Sequence, residues 1–193
     1  MEQIDVTRMS LEDYLATELA SEIKREFVNG EIIAMAGASV PHNVIAGNLA
    51  TLLGNALKGG PCRAYGSDLR ICVEATGLFA YPDITICCEK PRLLPGVRPD
   101  TVVNPRIIFE ILSSSTERWD RGAKLAHYRR MASLQEVILV AQDEIRVEHY
   151  VRQADDRWLL HGDWIGVGSG PLALVNPAVT LPLPDVYDGL ADL

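Results

Sequence analysis

Apolar residues along this chain recur with two different periods, and the alternation between them lays out its elements. Residues 81–86 and 107–113 hold short runs of branched and aromatic side chains bounded by turn formers, the pattern of buried strands. Over residues 41–57, Ile45, Leu49, Leu52, Leu53 and Ala56 return at helical spacing. That predicts an amphipathic helix with His42 in its first turn and an end at Gly59-Gly60. An earlier helix starts after Ser10, a capping residue with Asp13 three positions on, and carries Leu11, Tyr14, Leu15 and Leu19 on one face. Between the two helices, Asn29-Gly30 supplies the positive φ angles of a two-residue turn and makes residues 25–35 a hairpin. Strands follow at 63–66 and 69–73. Pro91, Pro95, Pro99 and Pro105 make residues 89–105 an extended surface loop.

The serine and threonine cluster at 113–116 leads into a helix over 120–131, on which Lys124 and Tyr128 share a face and Asp120 precedes Lys124 by one turn. Residues 136–141 read as another buried strand, and 145–151 with 157–162 as a hairpin at the sheet edge. Extended pieces are expected at 172–175 and 178–181 in a tail rich in Gly and Pro. No repeat or linker interrupts the pattern, so residues 1–193 are expected to form a single domain.

Charge narrows the choice of partners. A net charge of −8 argues against holding nucleic acid on a broad basic surface, yet leaves open a route to phosphate through divalent cations and a local basic cleft. Cysteines at 62, 72, 87 and 88 show no CxxC or CxxH spacing, so reduced, mostly buried thiols are expected. No apolar run approaches the ~20 residues that span a bilayer, and the N-terminus lacks a basic region followed by an apolar one. A cytoplasmic protein with no membrane partner is the simplest expectation.

Candidate chemistry comes from two acids in the apolar runs, Asp83 and Glu110. Burying a polar group without a partner costs about 2–7 kcal/mol, and an ion more, unless a metal or counter-charge neutralises it. On neighbouring strands, at the same end of a sheet, the two carboxylates would converge on one point. Hard divalent cations such as Mg2+ take one or two carboxylates and complete their shell with water and phosphate. Lys124, on the following helix, would orient an attacking water and counter the charge of a phosphoryl transition state. Each residue also has a plainer reading: Asp83 as a strand-entry turn, Glu110 as an edge-strand carboxylate, Lys124 as a solvated charge. His42 is either a helix-start or core histidine, or a contact to substrate or to a metal ligand. Glu26 is either a solvated strand charge or a third carboxylate for the metal. Asp68 reads as a turn residue. Ser113 follows the Glu110 strand without the Gly-x-Ser-x-Gly elbow of a nucleophile, and His127, His149 and His161 read as structural or surface residues.

Taken in order, Arg25-Glu26-Phe27-Val28-Asn29-Gly30-Glu31, Ser39-Val40-Pro41-His42, Tyr81-Pro82-Asp83-Ile84, Phe109-Glu110-Ile111-Leu112-Ser113, and then Asp120, Lys124 and Tyr128 form a set of motifs. This set resembles the Uma family of restriction endonucleases, a branch of the PD-(D/E)XK nuclease superfamily, from about Ser10 to Tyr150. The resemblance implies an α/β fold with a mixed sheet flanked by helices, a restriction-endonuclease-like core with a β-hairpin edge. It also implies Mg2+ or Mn2+ on Asp83 and Glu110, metal-dependent hydrolysis of DNA phosphodiesters, and a homodimer. Asp83, Glu110 and Lys124 take the catalytic roles, with Glu26, His42, Ser113 and Tyr128 in support. The superfamily lysine is expected two positions after the acid, where this chain has Leu112; in the Uma branch the role passes to the next helix, where Lys124 stands. Two other readings remain: a catalytically silent nucleic-acid or protein-binding module on the same fold, and a hydrolase of small phosphoesters.

Overall fold

The computed structural model describes residues 8–190 apart from 36, 115, 167 and 169. Its first half runs α1 (Leu11–Glu18), β1 (Arg25–Val28), β2 (Glu31–Ala34), α2 (Val40–Ala56), β3 (Arg63–Gly66), β4 (Arg70–Val73), β5 (Leu78–Ala80) and β6 (Ile84–Cys87). Then come β7 (Thr101–Val102), β8 (Ile107–Leu112), and an unbroken helical stretch of α3 (Glu117–Trp119), a π-helical segment (Asp120–Lys124) and α4 (Leu125–Tyr128). The chain closes with β9 (Glu136–Ala141), β10 (Arg146–Arg152), β11 (Trp158–Ile165), β12 (Leu172–Leu174), β13 (Val179–Leu181) and α5 (Leu183–Val186).

The strands form two mixed sheets, β2-β1-β5-β4-β7 and β11-β10-β9-β8-β6-β3, with β12 and β13 paired separately. In the larger sheet β8 and β9 are parallel, in register from Ile107↔Glu136 to Leu112↔Ala141. A parallel pair needs a crossover between its strands, and the helical stretch 117–128 lies on that crossover. Side chains of β8 alternate between two buried layers. Ile107, Phe109 and Ile111 pack with Ile45, Leu49 and Leu53 of α2. Ile108 and Leu112 face the other way, into a layer shared with Val28, Ile71, Val73 and Leu78 of the smaller sheet and with Leu125 and Tyr128. By the same alternation Glu110 belongs to this second layer. Every residue of β8 is buried, so Glu110 has no edge-strand exit to water.

Most expected elements occur where the pattern put them, including the Asn29-Gly30 turn, with φ of 52° and 89°, and the β10–β11 hairpin with β11 at the sheet edge. Four expectations change. Cys62 and Cys88 form a disulfide rather than free thiols, because the β3–β6 register Arg63↔Cys87 places the next pair outward, 62 and 88, directly opposite. The region expected as a surface loop over 89–105 contains the buried strand β7. Wholly buried Arg70 draws it in by donating to Thr101 Oγ1 at 2.9 Å and to the carbonyls of Arg98 at 3.0 Å and Pro99 at 3.2 Å. In α1 only Tyr14 of the expected apolar face is buried; Leu11 and Leu19 stay exposed, since eight residues dock through Tyr14 on Phe27 and Phe79. The helix expected at 120–131 starts three residues earlier and ends at Tyr128. Among the described residues, no helix is long and apolar enough to cross a membrane.

Candidate active site

Asp83 sits between β5 and β6, one position before the paired residues Ile84↔Phe109. The same antiparallel register carried one step outward sets Asp83 opposite Glu110, and directly opposed residues share a face. The backbone makes the link itself: the N–H of Ile111 donates to Asp83 Oδ2 at 2.7 Å. The other Asp83 oxygen, Oδ1, lies 3.0 Å from Nε2 of His42. His42 is held there by the start of α2, where the Ser39 hydroxyl accepts from the His42 N–H at 3.2 Å and donates to Gln142 Oε1 at 2.7 Å. Asp83 and His42 form the wetter end of the site, with side chains 12% and 17% exposed.

Lys124 forms the dry end. Its Nζ lies 2.8 Å from Glu26 Oε1, 3.0 Å from Glu110 Oε1 and 3.2 Å from Asp120 Oδ1. The π-helical turn carries both Asp120 and Lys124 inward, and the Leu125 N–H bonds back five residues to the Asp120 carbonyl. Such turns, rarer than α turns, gather at functional sites. Tyr128, one further turn along, donates its hydroxyl to Glu110 Oε1 at 2.5 Å. Glu26 arrives from β1 of the other sheet and is fixed at both oxygens: the Trp119 Nε1–H donates to Oε2 at 2.9 Å and the Tyr81 N–H to Oε1 at 3.4 Å.

Buried charge dominates the electrostatics. Burial pushes Glu110 well above the usual carboxylate range; Lys124 opposes that rise, and the charges of Asp120, Asp83 and Glu26 add to it. Burial raises Asp120 as well. For Lys124, burial alone works against the ammonium, but Glu110, with Glu26 and Asp120, outweighs it and holds the group well above its ordinary value. Burial and the neighbouring Glu110 charge push the Tyr128 phenol well up. Three carboxylates (Glu26, Glu110, Asp120) thus surround one ammonium, and the charge of Asp83 also acts on Glu110, a surplus of negative charge that a further cation would relieve. Among the described residues no three His, Cys, Asp or Glu side chains gather closely enough to hold a metal by themselves. A cation that needs one or two carboxylates and fills the rest of its shell with water and phosphate does not require three.

Residues 11–175 match the family described as Uma2, putative restriction endonuclease. The chain belongs to the Uma2 family. Two uncharacterized proteins of Synechocystis sp. are similar along much of their length, one 33% identical over 95% of this chain and 94% of its own. The other is 36% identical over 77% of this chain and 83% of its own. The fold matches the crystal structure of a putative nuclease belonging to DUF820 from Anabaena variabilis, with a TM-score of 0.71 and 18% identity over 93% of this chain and 97% of that one.

This Uma2 chain brings together Asp83, Glu110, Lys124, Glu26, His42 and Tyr128, six of the seven positions singled out in the sequence. Glu26 is a buried ion-pair partner, not a solvated strand charge. Ser113 stands apart, its hydroxyl 2.9 Å from Thr116 Oγ1 and its carbonyl accepting from the Thr116 and Glu117 N–H groups at the start of the helix. Trp119 was missed as a site residue, and Asp120 was named in the motif set without a role. Asp120 had a signal in its four-residue spacing to Lys124; Trp119 had none, because its contact with Glu26 joins residues 93 positions apart. Of the other histidines, His149 is fully buried against Glu136 at 2.7 Å, away from this cluster.

Proposed function

We propose that the chain is a metal-dependent DNA endonuclease whose site is the Asp83–Glu110 pair with Lys124. The observation that carries this reading is the register that opposes Asp83 and Glu110 on one face, with a buried surplus of negative charge around them. The residues fit a hard divalent cation: Asp83 and Glu110 are the two carboxylates it would take, and the surplus charge around Lys124 gives it an electrostatic reason to enter. When bound, Mg2+ or Mn2+ would lower the pKa of a water and neutralise charge on a phosphoryl oxygen.

The protein's own groups supply the rest. His42 and the Ile111 N–H hold the Asp83 carboxylate in one orientation from opposite oxygens. Tyr128 does the same for Glu110. Lys124 offers its donors to an attacking water and to the negative charge that builds on the phosphate, the task of a preorganised cation in a site with little water. The net negative charge limits nonspecific hold on DNA, so contact with the backbone at the site falls to the cation.

The test is calorimetric titration with Mn2+, followed by cleavage of supercoiled plasmid. Asp83→Asn and Glu110→Gln are each expected to weaken Mn2+ binding at least about tenfold and to abolish nicking. Lys124→Met is expected to abolish nicking while leaving a Mn2+ site in place. Unchanged Mn2+ binding in both carboxylate variants overturns the proposal. Tight Mn2+ binding with an intact plasmid at saturating metal would instead indicate a binding module.

A further inference from the structure

We infer that Lys124 is a built-in rival of the divalent cation for Glu110, and that Glu26 is the positioning residue that draws the lysine away when the cation enters. The inference rests on the metal site proposed above and concerns how that site is gated by the chain's own charges.

The Lys124 ammonium carries three donors, and three carboxylates lie within reach, Glu26, Glu110 and Asp120. It therefore sits on an oxygen of the very carboxylate that a metal would use, Glu110 Oε1. The three partners are not equivalent. Glu26 is the nearest at 2.8 Å, and its other oxygen is engaged by the Trp119 indole at 2.9 Å, so it cannot turn towards Asp83 without losing that bond. Asp120 is tied to Lys124 through the same π-helical turn. If Lys124 gives up Glu110, it keeps Glu26 and Asp120 and remains a paired ion in a buried layer, avoiding the penalty of an unpaired buried charge. Glu110 meanwhile keeps the Tyr128 hydroxyl, which holds it in place for the incoming cation. Exchange of ammonium for metal on Glu110 then leaves each charge with a partner.

Neutralising Glu26 should therefore strengthen the hold of Lys124 on Glu110 and weaken metal binding, although Glu26 touches no metal. Removing the lysine as well should erase that effect. A Glu26 that ligated the metal directly would behave differently, since its loss would weaken binding with or without Lys124.

Mn2+ titration by calorimetry on the full chain separates these cases without any cleavage assay. Glu26→Gln is expected to bind Mn2+ about 3–10-fold more weakly than wild type, whereas Glu26→Gln/Lys124→Met is expected to match Lys124→Met within about twofold. The double variant removes one charge of each sign, so it avoids stranding three acids around a vanished ammonium. A double variant about 3–10-fold weaker than Lys124→Met overturns the inference and makes Glu26 a ligand. Wild-type affinity in Glu26→Gln overturns it too, because Glu26 then exerts no pull on Lys124. Glu110→Gln run alongside reports on the metal site itself: undiminished binding there overturns the metal reading. Lost binding there, with a double variant still weaker than Lys124→Met, overturns only the inference.

Discussion

At the scale of single residues, the site stores opposed charges at the expense of stability, and Glu110 is where this is most exposed to test. Its pKa is raised in the fold, first by burial. A raised carboxylate contributes most to stability below its unfolded value and loses that contribution as pH rises through the folded one. Without metal, the wild type should therefore weaken as pH climbs through the elevated Glu110 value, and Glu110→Gln, which keeps only the Asp120 contribution, should weaken less. Glutamine still accepts from Tyr128, and Lys124 keeps Glu26 and Asp120. In EDTA, melting curves are expected to show Glu110→Gln gaining on wild type as pH rises, by on the order of 1 kcal/mol. A gap that closes with rising pH would contradict the raised pKa. Lys124→Met should act in the opposite sense: three acids lose their common partner, and metal-free stability at pH 8 is expected to fall by about 3–5 kcal/mol.

At the scale of elements, the site is set by where helices begin and strands turn. Ser39 is the clearest lever. Its side chain caps α2 and sets the turn that carries His42 to Asp83. Ser39→Ala is expected to destabilise the fold by about 1 kcal/mol, read from denaturant midpoints, and to weaken Mn2+ binding modestly through Asp83. The Asn29-Gly30 turn and the start of α2 near His42 were legible in the sequence, because both act through neighbours only a few residues away; the Ser39 cap was seen only in the structure. The π-helical turn was not legible: Asp120-Arg121-Gly122-Ala123-Lys124 reads as an ordinary helix, and the widening exists where the crossover must place Asp120 and Lys124 together in a buried layer. Strand β7 escaped for the same reason, since parallel pairing with β4, together with the bonds of buried Arg70 to the loop, makes those two residues a strand.

At the scale of the whole molecule, two sheets face each other across one layer, and the site lies in that layer with one acid from the smaller sheet, Glu26, and one from the larger, Glu110. The same closeness of packing governs the cysteines. Burial raises Cys72 and Cys87 from about 9.0 to about 11, whereas Cys62 and Cys88 are joined. A raised thiol stabilises fully below its unfolded value near 9.0 and loses that contribution as pH rises through about 11. Thiol titration at pH 8 is expected to find almost no reaction in the native protein. Denaturation without reductant should release the two free cysteines, and release of four would show that 62 and 88 are not paired.

The sequence alone determined what depends on near neighbours and on burial averaged over a segment: the apolar face of α2, the hairpin turn, the apolar strands, and the anomaly of a carboxylate in each of two oily runs. It also carried the order of motifs by which the family is recognised. Tertiary structure decided which charges meet. Glu26, Trp119 and Lys124 are brought together across two sheets, and Cys62 meets Cys88 only through strand register. Periodicity reports which face of an element is buried, but not which other element covers it. Pairing between distant residues is settled only when both faces close on each other and each buried charge must find a partner.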